Sequence, residues 1–541
     1  MVLDPRQTRR TDVLDSVRPW ASGFPGELRR DPYTGNIYSS ADTNRWLPVW
    51  TTDKDVILHV NPSIGDDAND GDVGSPLETI QEALDRIPPT VCHFVIIDLQ
   101  DNGGIQTFDE QVFVRDFQIQ AGGIKILGKT QIATLAQGST TVTPNAGNTG
   151  TNKFLTITPS PNWLANDLVG RFFEITTGTH AGSFVSIIGN TADTLELGSV
   201  PFTFYGSYDN TDGGDILDIS TIIKQASQLY VIPTMEISNI MLSEDISVDS
   251  GLVFERVHIA GDNDVRASVF MHGNVSVEFN ESRIDDYMSA TTGVLQMTMR
   301  DSLIWATKDN PYQAELFSST SSFDGGVAFL FCGFIGGILV SEWGSPQVQI
   351  IQSNFKVDPI TPANMPDRFI RAAGGILVLS MCSLDGEGSI IPIEIRGGSK
   401  AELRIQHGVE LLNSPTSGIM TNKLSLGHAH IRIDELANGG SNPYSQIDGN
   451  AEYGIDVSGP HIIDFYKPTF GSNGIAGMRL RYGAVGKFSG AFGSEPLLYG
   501  PGGAGVDEID FDNQVGPVFI NFDDADTVGL QSLCQYIQNG Q

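Results

Sequence analysis

Lysine and cysteine are scarce in this chain, and long apolar runs are missing. Of the 32 basic residues in 541 only 11 are Lys, set against 65 Asp and Glu, and the net charge is −33. That acidity repels phosphate and argues against direct contact with nucleic acid. It favours solubility and mutual repulsion at high copy number. The four cysteines, Cys92, Cys332, Cys382 and Cys534, make no CxxC pair and no cluster with histidine, so neither a disulfide framework nor a zinc site is expected. The longest apolar stretch, Val327 to Val340, is broken by glycines and too short to span a bilayer, so no membrane insertion is expected. Met1 to Pro19 carries Arg6, Arg9 and Arg10 without an apolar segment, and no secretory leader is expected there. No phosphate loop, nucleophile elbow or dinucleotide fingerprint occurs, and no cofactor is expected.

What is present is a repeat. An apolar residue, a small or apolar residue three positions on and an apolar residue two further recur seven times: Ile237-Ile240-Leu242, Phe254-Val257-Ile259, Phe279-Ser282-Ile284, Met299-Ser302-Ile304, Phe329-Cys332-Phe334, Ile350-Ser353-Phe355 and Leu379-Cys382-Leu384. The first residues are spaced by 17, 25, 20, 30, 21 and 29. A fixed turn with variable loops between copies is the mark of a β-solenoid. The step of three turns a corner and points Ser282, Ser302, Cys332, Ser353 and Cys382 inward, where only a small residue fits. The expected fold is all-β, a solenoid whose rungs stack about 4.8 Å apart. A solenoid core grows lengthwise, so 541 residues need not split into several globular domains.

The pattern also divides the chain. Residues 1–52 read as a separate N-terminal module, with Asp31-Pro32-Tyr33-Thr34-Gly35 turning between two strands. Trp20, Trp46 and Trp50 crowd it; they either cover the first rung or dock on another subunit or particle protein. Residues 53–137 hold a short strand, an Asp/Asn/Gly loop, an amphipathic helix and the first coils. Ser75 reads as the N-cap, Pro76 as the first helical residue and Glu78 as the capping-box partner, with Leu77, Ile80, Ala83, Leu84 and Ile87 on one face. Such a helix closes the open end of the first rung. Residues 138–206 break the rung pattern and read as an inserted small β-barrel or sandwich, expected to lie outside the core and to be removable. The main solenoid follows over 207–439. The glycine-rich texture after it suggests a C-terminal β-module over 440–541 that knits subunits together.

Residues 57–87, from Leu58-His59-Val60 through Asp66-Asp67-Ala68-Asn69-Asp70-Gly71 to the helix, resemble the opening of pectate-lyase-like proteins, right-handed parallel β-helices that include many viral tailspikes and tail fibres. The coils at 95–137 and 216–435 are similar to that superfamily in pattern and not in catalytic motifs. The resemblance implies a homotrimer on a virion surface, attached to other virion proteins through residues 1–52 and facing host polysaccharide. It leaves open a polysaccharide depolymerase and a non-viral β-helix adhesin.

Candidate chemistry is sparse. Asp262, Asp264, Asp285 and Asp286 follow equivalent turns of neighbouring rungs, where two carboxyls suit glycoside hydrolysis; the plainer reading is solvated loop carboxylates. Polygalacturonase-type relatives carry Asn-Thr-Asp, Asp-Asp, Gly-His-Gly and Arg-Ile-Lys elements. Only Asp285-Asp286 matches, while His272-Gly273 and Arg404-Ile405-Gln406-His407-Gly408 depart from them. The Asp66, Asp67, Asn69, Asp70, Asp72 loop offers hard oxygens of the kind Ca2+ takes, without the terminal Glu or the spacing of an EF-hand. In the resembling proteins that loop is a structural turn. His428-Ala429-His430 sets two imidazoles on one face of a strand.

Overall fold

A computed structural model of the chain describes, with short gaps, residues 28–48, 55–134, 141–144, 154–199, 213–231, 251–305, 326–396, 401–434, 445–489, 509–511 and 519–523. The chain forms two compact units, Met1–Asn145 with Lys153–Ile335, and Gly336–Gln541 with Ala146–Asn152. Each is built on a parallel β-helix. Among the described residues no helix is long and apolar enough to cross a membrane.

In the first unit seven parallel strands, from Val56–Val60 to Gly326–Leu330, make one sheet. Six more, from Gln106–Asp109 to Gly333–Ile335, make a second, and four from Phe113–Val114 to Met288–Ala290 a third. Registers carry the repeat directly. Phe254 pairs with Phe279, Phe279 with Met299 and Met299 with Phe329. On the second sheet Ile259, Ile284, Ile304 and Phe334 align in the same way. All eight are buried, and the Phe254 and Phe279 rings stack at 5.2 Å. The copy Ile237-Ile240-Leu242 lies outside the described residues.

Four successive corners between these two sheets share one construction. A single non-glycine residue takes a left-handed conformation: Arg256, Glu281, Asp301 and Phe331 have φ of 56°, 47°, 48° and 59°. Its N–H donates to a carbonyl of the next rung, as Glu281 does to Arg300 at 3.0 Å and Asp301 to Leu330 at 3.0 Å. Arg256 is followed by Val257, and at the other three corners the residue that follows is a fully buried serine or cysteine bonded to a carbonyl. Ser282 Oγ donates to the Asn280 carbonyl at 2.7 Å, and Ser302 Oγ to that of Arg300 at 2.6 Å. Cys332 Sγ reaches Met299 and Leu330 carbonyls at 3.3 and 3.4 Å. Three of these corners thus combine small size with a donor aimed at the carbonyl two residues earlier.

The start of the first unit departs from expectation in one detail. The helix is Ile80–Asp85 and its N-cap is Thr79, whose Oγ1 accepts from Glu82 N–H at 3.1 Å. Ser75 is not the cap. Asp72 and Ser75 close an antiparallel bridge and Leu77 pairs with Val60, which keeps this stretch extended. Ile80, Ala83, Leu84 and Ile87 are buried as the amphipathic pattern requires. At the N-terminus Leu28–Arg30, Ile37–Asp42 and Arg45–Pro48 form an antiparallel three-stranded sheet.

Between Thr130 and Ile219 seven strands form an antiparallel sheet, a wider span than residues 138–206. Its strands alternate strictly. Phe173, Val185 and Ile187 face a core of their own with Leu155, Leu168, Leu195 and Leu197. Phe172, Phe184 and Ile188 face the other way, against Leu303, Ile335 and Trp305 on the outer face of the rungs. Gly198 and Gly333 meet so closely that a Cβ on Gly198 would lie 2.5 Å from the Gly333 Cα. The inserted strands thus lie on the outer face of the rungs and share an apolar seam with the solenoid.

In the second unit the sheets run from Gln347–Ile351 to Phe519–Asp523, from Asn354–Lys356 to Thr469–Phe470, and from Ile338–Val340 to Ile509–Phe511. The solenoid therefore continues past residue 440 as far as the strand Phe519–Asp523, within the stretch where a separate C-terminal module was expected. Tyr453–Ser458 pairs in parallel with Ser417–Thr421 and Ala476–Arg481. Asn450 and Asn473, both buried, form a side-chain ladder at 2.8 Å inside these coils. The corner serine and cysteine recur: Ser353 Oγ donates to the Ile351 carbonyl at 2.9 Å and Cys382 Sγ to Ile350 at 3.2 Å. Outside, in the third sheet, Arg371 pairs with Glu394 at 2.9 Å, and Arg479 bonds Asp456 at 3.1 Å while lying 4.1 Å over the Tyr453 ring. Glu394 and Asp456 are buried.

Two outcomes check this fold. Ser302→Leu or Ser353→Leu overpacks the corner and removes its donor, and each is expected to cost about 1–3 kcal/mol or more; unchanged thermal melting would contradict the corner. Replacing residues 138–206 with a short Gly-Ser join uncovers Leu303, Trp305 and Ile335. The expected loss is about 1.5–3 kcal/mol for each such side chain, seen as a lower melting temperature or aggregation, and a deletion that melts like the full chain would show the seam to be idle.

Candidate functional site

Of the four aspartates singled out, Asp262, Asp264 and Asp286 lie outside the described residues. Asp285 ends the strand Arg283–Asp285 on the outer face of the second sheet, where the inserted domain sits. Its Oδ1 accepts from Arg283 Nε at 2.7 Å, and its Oδ2 lies 2.9 Å from Arg283 Nη2 and 2.8 Å from His258 Nε2. The Arg283 guanidinium also lies 4.5 Å over the Trp305 ring and donates to the Gly170 carbonyl at 3.3 Å. A Cβ on Gly170, whose φ is +89°, would lie 2.4 Å from that guanidinium. Burial on its own would raise the Asp285 pKa, but Arg283 and His258 outweigh it and hold the carboxyl well below its usual range. Asp285 is a permanent anion clamping the insertion onto the rungs, unsuited to donate a proton at neutral pH.

The acidic loop is equally occupied. Asp67 Oδ1 accepts from the N–H of Glu78 and Thr79 at 3.0 and 2.9 Å, and its Oδ2 from Thr79 Oγ1 at 2.9 Å. Asp66 Oδ1 takes the Ala68 N–H and Asn69 Nδ2 bonds the Pro76 carbonyl. Arg86 ties the loop to the helix through the Asp67 and Asn69 carbonyls, both at 2.6 Å. Among the described residues no three His, Cys, Asp or Glu side chains gather as a metal site. Asp67 is thus given to the helix and Asp66 to its own turn. His428 and His430 take separate partners, the Pro460 carbonyl and Asp464, at 2.7 Å each. Trp20 and Trp50 lie outside the described residues. Trp46 stands on the strand Arg45–Pro48 opposite Ser40, and only its backbone is described.

A pair that the motif search passed over is chemically more distinctive. Glu281 and Asp301 occupy the left-handed corner of successive rungs. Glu281 Oε2 accepts from Arg256 Nε at 2.6 Å. Burial first, and the neighbouring Glu281 second, push the Asp301 carboxyl up to about 7 against the opposing pull of Arg300. The Asp301 carboxyl therefore holds a proton near neutrality, a perturbation of the kind found where protons are exchanged. The signal was available: aligning the repeat copies places both acids immediately before the small corner residue.

No protein-family model and no curated protein matches the chain. Among solved structures it is similar to the GH136 lacto-N-biosidase of Eubacterium ramulus, at 11% identity over 86% of this chain and 68% of that one, with a TM-score of 0.30. It is also similar to the tailspike gp61 of Pseudomonas phage phi297, at 9% identity over 74% of each chain and a TM-score of 0.26. A third is the tailspike Gp54 of Acinetobacter baumannii bacteriophage AP22, in complex with A. baumannii capsular saccharide, at 9% identity over 79% and 74% with a TM-score of 0.19. At these values no residue role passes to this chain.

The clamp has a measurable consequence. Asp285→Asn leaves the Arg283 charge buried without its counter-ion and is expected to cost about 3–5 kcal/mol at neutral pH. Because the folded pKa is depressed, the wild-type contribution is present above the ordinary carboxylate range and lost only as pH falls through the lowered value. Thermal melting of both proteins across that range checks it; equal melting temperatures at neutral pH would remove the clamp.

Proposed function

We propose that this protein is a structural spike or fibre of a tailed virus, a homotrimer displayed on the particle and presenting its β-helix to host surface glycan. The observation that carries the reading is the opening of the first unit. The strand Val56–Val60, the Asp67-centred turn and the short helix close the first coil of a parallel β-helix, which is the arrangement the sequence resemblance named. A stack of coils extends by repetition and offers long flat flanks, which suits projection and extended contact. The antiparallel three-stranded sheet at 28–48 is distinct in type from the coils and stands as the particle-docking module, with Trp20, Trp46 and Trp50 as its anchors. Closed cyclic symmetry is the ordinary solution for a soluble homo-oligomer, and three flanks about an axis would bury the exposed outer faces.

Removal of residues 1–52 is expected to abolish incorporation into virions while leaving the trimer intact in solution. Light scattering of the full chain at micromolar concentration reads the oligomer, and a monomer there overturns the trimer. Normal incorporation of the truncated chain overturns the docking role. Incubation with host envelope polysaccharide is expected to give binding without new reducing ends; their release would make the protein a depolymerase instead.

A further inference from the structure

The third sheet of the second unit carries more arginine at one place than its acids require. The strands Arg368–Ala372 and Ile391–Ile395 pair in parallel, which sets Arg371 beside Glu394. Glu394 is buried, and three arginines converge on its Oε2. Arg371 Nε donates to it at 2.9 Å and Arg396 Nε at 3.2 Å. Arg368 Nε lies 2.5 Å from the same oxygen without hydrogen-bond geometry, and this buried N–H has no acceptor among the described residues. One guanidinium neutralises one carboxylate, so Arg371 alone would meet the charge of Glu394. The second acid, Asp367, contacts Arg368 Nη1 and lies 3.4 Å from Arg371 Nη2, with its side chain 65% exposed. Three cations against two acids leave one positive charge in the cluster. The register neighbours along the column are Leu339 beside Arg371 and Met420 beside Glu394, and neither adds an acid.

The unspent donors belong to the most open of the three. The Arg396 side chain is 38% exposed, against 14% for Arg368 and 12% for Arg371. It uses Nε on Glu394, and its Nη1 and Nη2 make no bond among the described residues. Its position is fixed by the ladder. Arg396 N–H donates to the Ala372 carbonyl at 2.8 Å, and at the other end of the pair Ile391 N–H donates to the Asp367 carbonyl at 3.0 Å. Donors held in place before binding lose little freedom when a ligand arrives. A planar guanidinium fork matches a carboxylate, and this cluster already seats two, Glu394 within and Asp367 at the exposed rim. The net charge of −33 does not forbid a third, because at physiological salt charges beyond about 8 Å are screened and the local excess governs contact. We propose that Arg396, with Arg368 and Arg371 behind it, binds the carboxylate of an acidic sugar, so that the glycan met by these coils bears uronate. The site rests on the reading of the coils as a glycan-presenting surface and names the chemistry of that glycan.

Calorimetric titration of the full chain with galacturonic acid oligomers, beside neutral dextran oligomers of equal length, tests this. The wild type is expected to bind the uronate and not the dextran, with affinity falling as salt rises from about 50 mM. Arg396→Gln leaves Arg371 on Glu394 and is expected to weaken uronate binding roughly tenfold, with little change in thermal melting. Asp367→Asn removes the resident carboxylate that occupies Arg368 and Arg371, and is expected to tighten binding roughly threefold. Uronate binding unaltered in both variants overturns the site, as does a wild type that takes no uronate oligomer. Sulfated dextran held more tightly than uronate, and lost in Arg396→Gln, overturns the choice of carboxylate. A chain that refuses uronate yet binds host envelope polysaccharide sinks this site and leaves the glycan-presenting reading standing; one that binds neither sinks both.

Discussion

The coils from Leu252 to Asp385 turn sharply from one sheet into the next without widening the core, and one left-handed residue does it. Arg256, Glu281, Asp301, Phe331, Gln352 and Met381 all have φ between 47° and 59°, a conformation that costs a non-glycine residue roughly 1–2 kcal/mol. The strain is offset by N–H bonds to an adjacent rung, as at Arg256, Glu281, Asp301 and Gln352, and after all but Arg256 by the serine hydroxyl or cysteine thiol that follows. Burial pushes the Cys382 thiol up to about 12, so it remains a thiol and serves in the place of serine. Because each corner bonds to its neighbour, no single turn relaxes alone. The stacking of Phe254, Phe279 and Met299 behind it depends on that shared geometry.

The same regularity makes the flank of the first unit a docking surface. Outward positions of successive rungs fall into straight columns, so Leu303 and Gly333 stand side by side, as do Trp305 and Ile335. A second sheet with the matching two-residue period can lie across them. The inserted domain does so, with phenylalanines turned to both faces. Gly198 and Gly333 set the distance of closest approach, and Arg283 and Asp285 fill the margin where apolar contact ends. The insertion is therefore both a domain with its own core and a lid on the rungs.

The coils were legible because inward residues recur at fixed steps, and the registers fall on the very residues that define the repeat. Reading stopped early for local reasons. The coil after Leu379-Cys382-Leu384 runs Ile405, Val409, Leu411, one residue longer at the corner, where Gly408 takes the left-handed place. The step of three is lost and the pattern with it. Beyond residue 440 frequent glycines disguise strands such as Tyr453–Ser458. The helix cap was displaced because Ser75 and Thr79 both satisfy the local rule, and only the pairing of Leu77 with Val60 decides between them. For the site, Asp285 was visible as a residue while its surroundings were not, since no sequence pattern says that the Gly170 loop lands on it. Glu281 and Asp301 were hidden in plain order, at a position of the repeat read only as variable.

In the third sheet of the second unit, one outer column runs Arg371, Glu394, Met420, Asp456, Arg479 and Asp510 in successive rungs. Glu394 and Asp456 are 2% and 3% exposed, so each depends on its arginine neighbour. Loss of the coil bearing Glu394 would set Arg371 against Met420, and doubling the coil of Arg371 would set guanidinium on guanidinium. A change in the number of coils here would keep its stability only where each buried acid still meets an arginine, a demand that the apolar rungs behind it do not make.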